Sequence, residues 1–266
     1  MYRGFQLRLT SLWLDNELTR FIDELKRYAD RGWKMLEADR TTVQNKLDEY
    51  LLSDGSLDGS KMQEDWFPQI EADVFISHSH RDEDLAFGLA GWLYENLGLT
   101  SFVDSAVWGY APNLEKKLLR IYSHYSDQED YDDLKNFASA HVQMMLSVAL
   151  TQMIDNTECL FFLNTPSSIS IDAPIDGTTP SPWIYSEISM SRLIRKRLPK
   201  RYKRPLRESC QKYFAAKSVR YTLPMDHLTK LSRLDLKNWR SDCDCNVHRS
   251  HAALDCLYRL KSYKKK

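Results

Sequence analysis

The sequence has few of the features that mark disordered, fibrous or exported proteins. Only nine Gly and nine Pro occur among 266 residues, and 42% of the chain is apolar, which excludes a disordered or collagen-like chain. Apolar runs stay well short of the roughly 18 residues that a membrane span needs, so no helix is expected to cross a bilayer. The opening segment MYRGFQLRLTSLWLD lacks a secretory h-region and cleavage site. Five Cys without an export signal favour reduced thiols and a cytoplasmic protein.

Several catalytic and nucleotide-binding motifs are also missing. The chain contains no G-x-G-x-x-G, no Walker loop, no H-E-x-x-H and no G-x-S-x-G. These absences count against a glycine-rich phosphate cradle, zinc-protease chemistry and serine-hydrolase chemistry.

Net charge is zero, but the charges are unevenly distributed. Residues 192–266 hold 22 Lys+Arg and 6 Asp+Glu, which is +16, and the preceding residues are therefore −16. This asymmetry fits either an anion-binding surface or a solvated face that neutralises the acidic part of the same molecule. Because the basic stretch 192–207 has one aromatic residue, Tyr202, rather than the regularly interleaved aromatics of a single-strand binder, a nucleic-acid partner is not expected.

The hydrophobic pattern changes near residue 67. Residues 15–52 have helical periodicity, and SDGSLDGS after them is a turn-rich connector. We therefore predict a helical N-terminal extension and linker over 1–66 and an α/β domain over 67–266. The strands predicted in that domain are 73–77, 100–104, 159–165 and 218–223, and the helices are 82–97, 138–155, 181–194 and 251–261. Alternation of this kind predicts a parallel sheet covered by helices, with ligands at the carboxyl ends of its strands.

The segment Ser181–Glu187 has the clearest local signal. Ser181 followed by Pro182 is typical of a helix start, and Trp183 and Glu187 then share one face of that helix. Glu187 would lie at the shoulder of the buried face, beside an indole, where a carboxylate could contact a ligand. The spacing alone fits equally an ordinary surface Glu near a helix N-terminus.

A cluster of Cys and His residues lies near the C-terminus. Its members are Cys243, Cys245, His248, His251 and Cys256. Their spacing differs from common zinc-finger patterns, and two of them fall on a predicted amphipathic helix. We therefore expect no metal site there.

Taken together, several segments resemble a TIR (Toll/interleukin-1 receptor) domain. The strand DVFIS with His78 is similar to the family's opening signature, and FVDS at 102–105 is similar to its second strand. The sequence VWGY at 107–110 would be the BB loop, 159–165 the third strand and 218–223 the fourth. The segment from Ser181 to Glu187 resembles the family's S-x-W-x-x-x-E. The resemblance implies a flavodoxin-like, doubly wound parallel sheet.

TIR domains of the NAD-cleaving type, including those of bacterial Thoeris anti-phage defence, break the nicotinamide–ribose bond. The resemblance therefore implies an NAD⁺ glycohydrolase or ADP-ribosyl cyclase with Glu187 as its catalytic residue. No cofactor is implied beyond NAD⁺ as substrate. The partners implied are copies of the same chain and an effector that senses the nucleotide product. The substrate-binding residues implied are Ser77, His78, Ser79, Arg81, Asp104, Trp108 and Trp183.

The chain departs from the family pattern by insertions at about 113–137 and 166–180. Two other functions remain open at this point. One is a non-enzymatic TIR scaffold for signalling assembly, which would depend on the BB-loop surface rather than on Glu187. The other is an enzyme of the same sheet class that acts on other nucleosides, such as a deoxyribosyltransferase.

Overall fold

The computed structural model describes most of the chain. The described residues are 1–9, 16–38, 50–54, 56–108, 111–125, 130–169, 178–197, 199, 221–222, 225–243 and 250–261. Several predicted features lie wholly or partly outside them. They are residues 39–49 of the helical stretch 15–52, Gly109 and Tyr110 of the predicted BB loop, residues 126–129 and 170–177 of the two predicted insertions, much of the basic stretch 192–207, residues 218–220 and 223 of a predicted strand, and Cys245 with His248.

Strands and helices alternate along the described residues. The strands are β1 (Arg3–Arg8), β2 (Val74–Ser77), β3 (Ser101–Phe102), β4 (Cys159–Asn164), β5 (Thr178–Thr179), β6 (Tyr221–Thr222) and β7 (Thr229–Leu231). The helices are α1 (Asn16–Lys26), α2 (Ala29–Ala38), α3 (Gly59–Trp66), α4 (Glu83–Leu97), α5 (Asp104–Val107), α6 (Ala111–Tyr125), α7 (Tyr131–Asn156), α8 (Pro182–Leu193), α9 (Arg233–Asp242) and α10 (Ser250–Leu260).

Five strands form an all-parallel sheet in the order β3-β2-β4-β1-β7. Strands β2 and β4 are buried along their whole length, as expected for parallel strands that are covered on both faces. The predicted α/β class with a parallel sheet is confirmed, and the architecture is consistent with a flavodoxin-like fold. The chain goes from β2 outward to β3 and then returns to the far side of β2 with β4, which makes a crevice at the carboxyl end of β2.

The N-terminal segment contributes a strand to this sheet. The prediction of a purely helical segment is wrong for Arg3–Arg8, because β1 pairs with β4 on one side and β7 on the other. A domain boundary near residue 67 would therefore separate β1 from the other strands of the same sheet. Polar residues obscure the apolar pattern of β1: Arg3 is buried and donates to backbone carbonyls of Tyr258 and Lys261, and buried Gln6 contacts Met225.

The predicted fourth strand is described only in part and pairs outside the parallel sheet. Within 218–223, the described β6 pairs antiparallel with β5 in a separate two-stranded sheet. The strand beside β4, on the side away from β2, is β1. Since strand pairing joins residues far apart in the chain, local periodicity does not determine it.

The N-terminal helices pack closely on α4. Helix α2 approaches α4 so closely that a Cβ built on Gly32 would lie 1.9 Å from the carbonyl oxygen of Phe87. A Cβ on Gly88 would lie 2.4 Å from the Leu25 carbonyl oxygen of α1. Both distances are far below van der Waals contact, so three helix backbones meet where only glycine fits.

The described residues around the first predicted insertion are mostly helical. Helix α6 occupies 111–125, and α7 begins at Tyr131, seven residues before the predicted start. Helix α7 is long and apolar enough, by length and composition, to cross a membrane, with a mean hydropathy of 1.2 in its most apolar window. Core helices of soluble folds meet the same criterion, and α7 contacts α3, α6 and α8.

Candidate functional site

A cavity of about 580 Å³ opens at the carboxyl ends of β2 and β3. Residues that follow these two strands form one side of it, and α6, α7 and α8 supply the other walls. The lining residues are His78, His80, Glu83, Asp104, Ser105, Trp108, Ala111, Pro112, Glu115, Gln143, Leu146, Leu150, Ser181, Trp183 and Glu187. Five of the eight residues predicted for the site therefore line one cavity: His78, Asp104, Trp108, Trp183 and Glu187.

Helix α8 brings Glu187 to the cavity. The Ser181 hydroxyl accepts a hydrogen bond from the Ile184 amide, and Pro182 occupies the first turn, as the sequence predicted. The fully buried Ile184 and Ile188 fix the rotation of the helix about its axis. Glu187 is only 4% exposed, which is deeper than the shoulder position expected from the sequence.

The carboxyl group of Glu187 is desolvated and hydrogen-bonded. Ser77, the last residue of β2, donates its hydroxyl to Oε2 of Glu187 at 2.5 Å. Burial raises the pKa of Glu187 well above its usual value of 4.5, and the nearby charge of Asp104 raises it further. The Ser77 hydrogen bond acts in the opposite direction because it stabilises the ionised form. The protonated form of Glu187 therefore persists to higher pH than that of a solvated glutamate.

His78 and Asp104 lie together beside Glu187. His78 is buried, and its Nδ1 lies 3.3 Å from the Ile76 carbonyl oxygen and 4.0 Å from Oδ1 of Asp104. Asp104 is the first residue of α5, directly behind β3, and its side chain is 36% exposed. The imidazole and two carboxyl groups thus come from three separate segments of the chain.

The two predicted aromatic residues have different environments. Trp183 is half-buried and forms part of the cavity wall. Trp108 also borders the cavity but is only 4% exposed; its indole N–H donates to the Pro68 carbonyl at 2.8 Å, and its ring contacts Phe67 and Phe102 edge-on. Little of the Trp108 ring is therefore open to a ligand.

The remaining predicted residues do not line the cavity. Ser77 lies beneath it and acts through Glu187, whereas Ser79 is half-buried outside the lining set. Arg81 is exposed on a single 3₁₀ turn, His80–Asp82, next to His80 on the cavity wall. That turn is anchored by buried Asp82, which accepts a hydrogen bond from the Thr165 hydroxyl at 2.5 Å.

Several lining residues were not predicted from the sequence. Glu115 and Gln143 come from α6 and α7, in and just after the predicted insertion, and Glu83 begins α4. No local motif marks them, because they reach the cavity only through helix packing. One consequence is a strongly acidic lining: four carboxyl groups, from Glu83, Asp104, Glu115 and Glu187, and no Lys or Arg among the described lining residues.

The Cys and His residues near the C-terminus are only partly described. Cys243 and Cys256 are half-buried, and the side chain of His251 lies outside the described part of the chain. Over the described part of the chain, no three His, Cys, Asp or Glu side chains form a group that could hold a metal ion.

No protein-family model, curated protein or solved structure matches the chain. The chemistry of the cavity is therefore the basis for assigning a function.

Proposed function

We propose that the protein is a TIR-type NAD⁺ nucleosidase that cleaves the nicotinamide–ribose bond with Glu187. The observation that carries this proposal is the buried Glu187 carboxyl group, held by Ser77 at 2.5 Å, in a cavity of about 580 Å³. The products would be nicotinamide and ADP-ribose, or a cyclic or otherwise modified ADP-ribose.

A single catalytic carboxylate suits this bond. Glycosidases generally need a second, protonated carboxyl group because the leaving oxygen must gain a proton. In NAD⁺ the electron pair of the breaking C–N bond moves to the pyridinium nitrogen, and nicotinamide leaves as a neutral molecule. The task left for Glu187 is to stabilise the positive charge that develops on the ribose, which a preorganised carboxylate does best away from water.

The charge of the cavity fits the cationic end of this substrate. With four carboxyl groups and no Lys or Arg among its described lining residues, the cavity would attract a pyridinium ring and repel a phosphate. We place the nicotinamide ring against Trp183 and the pyrophosphate outside, toward exposed Arg81.

The biological setting follows from the resemblance to bacterial TIR enzymes. We propose a cytoplasmic protein of anti-phage innate immunity whose nucleotide product is a signal for a separate effector. Self-association through TIR surfaces would accompany activation. No membrane or nucleic-acid partner is part of this proposal.

Incubation of the purified protein with NAD⁺ tests the activity directly. Nicotinamide release should be measured by chromatography, with Glu187→Gln as the test variant and Glu71→Gln, an exposed glutamate away from the cavity, as the matched control. We expect release from the wild type and Glu71→Gln, and at least about a 100-fold loss in Glu187→Gln. Release unaffected by Glu187→Gln, or absent from assembled protein, would refute the proposal. Mass spectrometry of the second product distinguishes linear from cyclic ADP-ribose.

A non-enzymatic scaffold is the second candidate function. It is favoured by exposed apolar side chains on α7, where Phe137 is 55% and Met144 66% exposed. A scaffold would assemble equally well with Gln at position 187. Light scattering of the wild type and of Glu187→Gln, beside the nicotinamide assay, separates the two functions.

A further inference from the structure

We propose that Asp104 and Glu187 form an acid pair that holds one proton and releases it when a cationic ring enters the cavity. Asp104 would be a positioning residue, since it acts on the protonation of Glu187 rather than on the reacting bond. The identity of the ring rests on the function proposed above, whereas the proton held by the pair does not.

The sheet register brings Asp104 beside the strand end to which Glu187 is hydrogen-bonded. Strands β2 and β3 are neighbours, with Phe75 paired to Phe102. Two residues after Phe75 comes Ser77, whose hydroxyl is 2.5 Å from the Glu187 carboxyl group. Two residues after Phe102 comes Asp104. Both carboxyl groups line the same cavity at its strand ends. Their proximity is thus built into the pairing of two strands.

Among the described lining residues, no Lys or Arg is present to neutralise the pair. The other titratable groups in the described lining are His78, His80, Glu83 and Glu115. His80 is 2.8 Å from Glu83, and His78 is 4.0 Å from Asp104. On α8 itself, Arg192 faces Asp226 at 3.3 Å, away from the cavity lining. Two ionised carboxylates in such surroundings repel each other, so one of them retains a proton.

Within the pair we assign the proton to Glu187, the more buried of the two groups. Glu187 is 4% exposed, whereas the Asp104 side chain is 36% exposed and better solvated as an anion. Burial and the charge of Asp104 both raise the pKa of Glu187, which agrees with this assignment. A bound cation favours loss of the Glu187 proton because it stabilises both carboxylates at once.

Proton movement then follows the reaction. Binding of the pyridinium ring releases the proton of Glu187 to solvent and leaves a carboxylate beside the ribose. Cleavage moves the C–N electron pair to the ring nitrogen and generates neutral nicotinamide. Water that attacks the ribose cation gives up a proton, and the pair is protonated again once the positive charge is gone.

The proton on Glu187 can be followed by carbon-13 NMR of protein labelled at the glutamate carboxyl carbon. The Glu187 signal is the one that disappears in Glu187→Gln. We expect Asp104→Asn to move the titration midpoint of Glu187 to lower pH. The control Glu83→Gln removes another acid from the same cavity and should move that midpoint less. Asp104→Glu keeps the negative charge but changes the side chain, and it should keep the wild-type midpoint. It therefore shows whether the shift in Asp104→Asn comes from the lost charge. An unshifted midpoint in Asp104→Asn, or an equal shift in Glu83→Gln, overturns the acid pair.

Calorimetry with the 1-methylnicotinamide cation tests proton release even if Asp104→Asn does not fold. Titrations in buffers with different ionisation enthalpies should show release of up to about one proton per cation bound by the wild type, and close to none by Glu187→Gln. Binding without proton release, or no binding, overturns the inference. Absence of nicotinamide release from NAD⁺, with the NMR shift observed, would instead refute only the proposed enzyme activity.

Discussion

The Ser77 hydroxyl donates a hydrogen bond to Oε2 of Glu187 across 2.5 Å, and both residues are buried. This contact joins the end of a central strand to the second turn of α8. It is the one described hydrogen bond that stabilises the ionised form of Glu187, against burial and the charge of Asp104. Ser77 therefore sets how easily Glu187 becomes a carboxylate.

Replacement of Ser77 by Ala should weaken catalysis without unfolding the protein. A hydrogen bond to a charged group contributes about 1.5–3 kcal/mol, so nicotinamide release should fall about 10- to 100-fold. The acid limb of the pH–rate profile should move to higher pH, because the pKa of Glu187 rises when this donor is lost. Ser101→Ala is the matched control: its buried hydroxyl has no partner within the described residues, and its loss should leave the rate unchanged. Equal rates for Ser77→Ala and Ser101→Ala would contradict the role of Ser77.

Glu187→Gln should become more stable relative to the wild type as pH rises. In the unfolded protein Glu187 has its ordinary pKa of 4.5, and in the folded protein its pKa is higher. At pH values between the unfolded and the folded pKa, the folded state therefore binds more protons than the unfolded state. Wild-type stability therefore decreases with pH over that interval, at up to about 1.4 kcal/mol per pH unit, whereas Gln does not titrate. Urea denaturation of both proteins from pH 4.5 upward measures the difference. A difference that stays constant with pH would show that Glu187 is not desolvated.

Trp108 is expected to matter more for stability than for substrate binding. Trp108→Phe removes the indole N–H that binds the Pro68 carbonyl and should cost about 1–3 kcal/mol, and Trp108→Ala about 3–5 kcal/mol. Trp183→Ala, at the half-buried cavity wall, should cost less stability but raise the KM for NAD⁺. Denaturation midpoints and steady-state kinetics distinguish the two roles. A Trp108→Phe protein of wild-type stability with a raised KM would instead support direct contact with substrate.

Gly32→Ala should destabilise the protein although Ala favours helices. The new Cβ would lie 1.9 Å from the Phe87 carbonyl oxygen, so α2 and α4 must separate. We expect a net loss of about 1–3 kcal/mol, against a helix-propensity gain of about 1 kcal/mol. Gly59→Ala is the control, because its Cβ would meet only Met145 Cε, at an ordinary 3.5 Å. Equal thermal stability of the two variants would show that the close approach of α2 and α4 is relaxed in solution.

Local sequence signals identified several elements correctly. The start of α8 followed from Ser181 and Pro182, since capping depends on residues adjacent in the chain. The fully buried β4 followed from an unbroken apolar run, and α4 from its apolar periodicity. Each of these features is encoded within about 15 residues, which is the range over which such patterns operate.

The site could be predicted in part for the same reason. Trp183 and Glu187 share a helix, so their spacing alone predicts that they lie together. The acidic Glu115 and the wall residue Gln143 carry no local signal, because each is one polar residue on a helix that reaches the cavity through packing.

The amino-acid sequence by itself determined the α/β alternation, the helix that carries Glu187 and the order of the polar loops behind β2 and β3. Tertiary structure alone decided that β1 lies beside β4, that β6 leaves the parallel sheet, and that Ser77 and Asp104 converge on Glu187. Periodicity and capping are short-range properties of the chain. Strand pairing and the desolvation of a carboxyl group depend instead on residues about a hundred positions apart being brought together by a common core, as Ser77 and Glu187 are at a separation of 110.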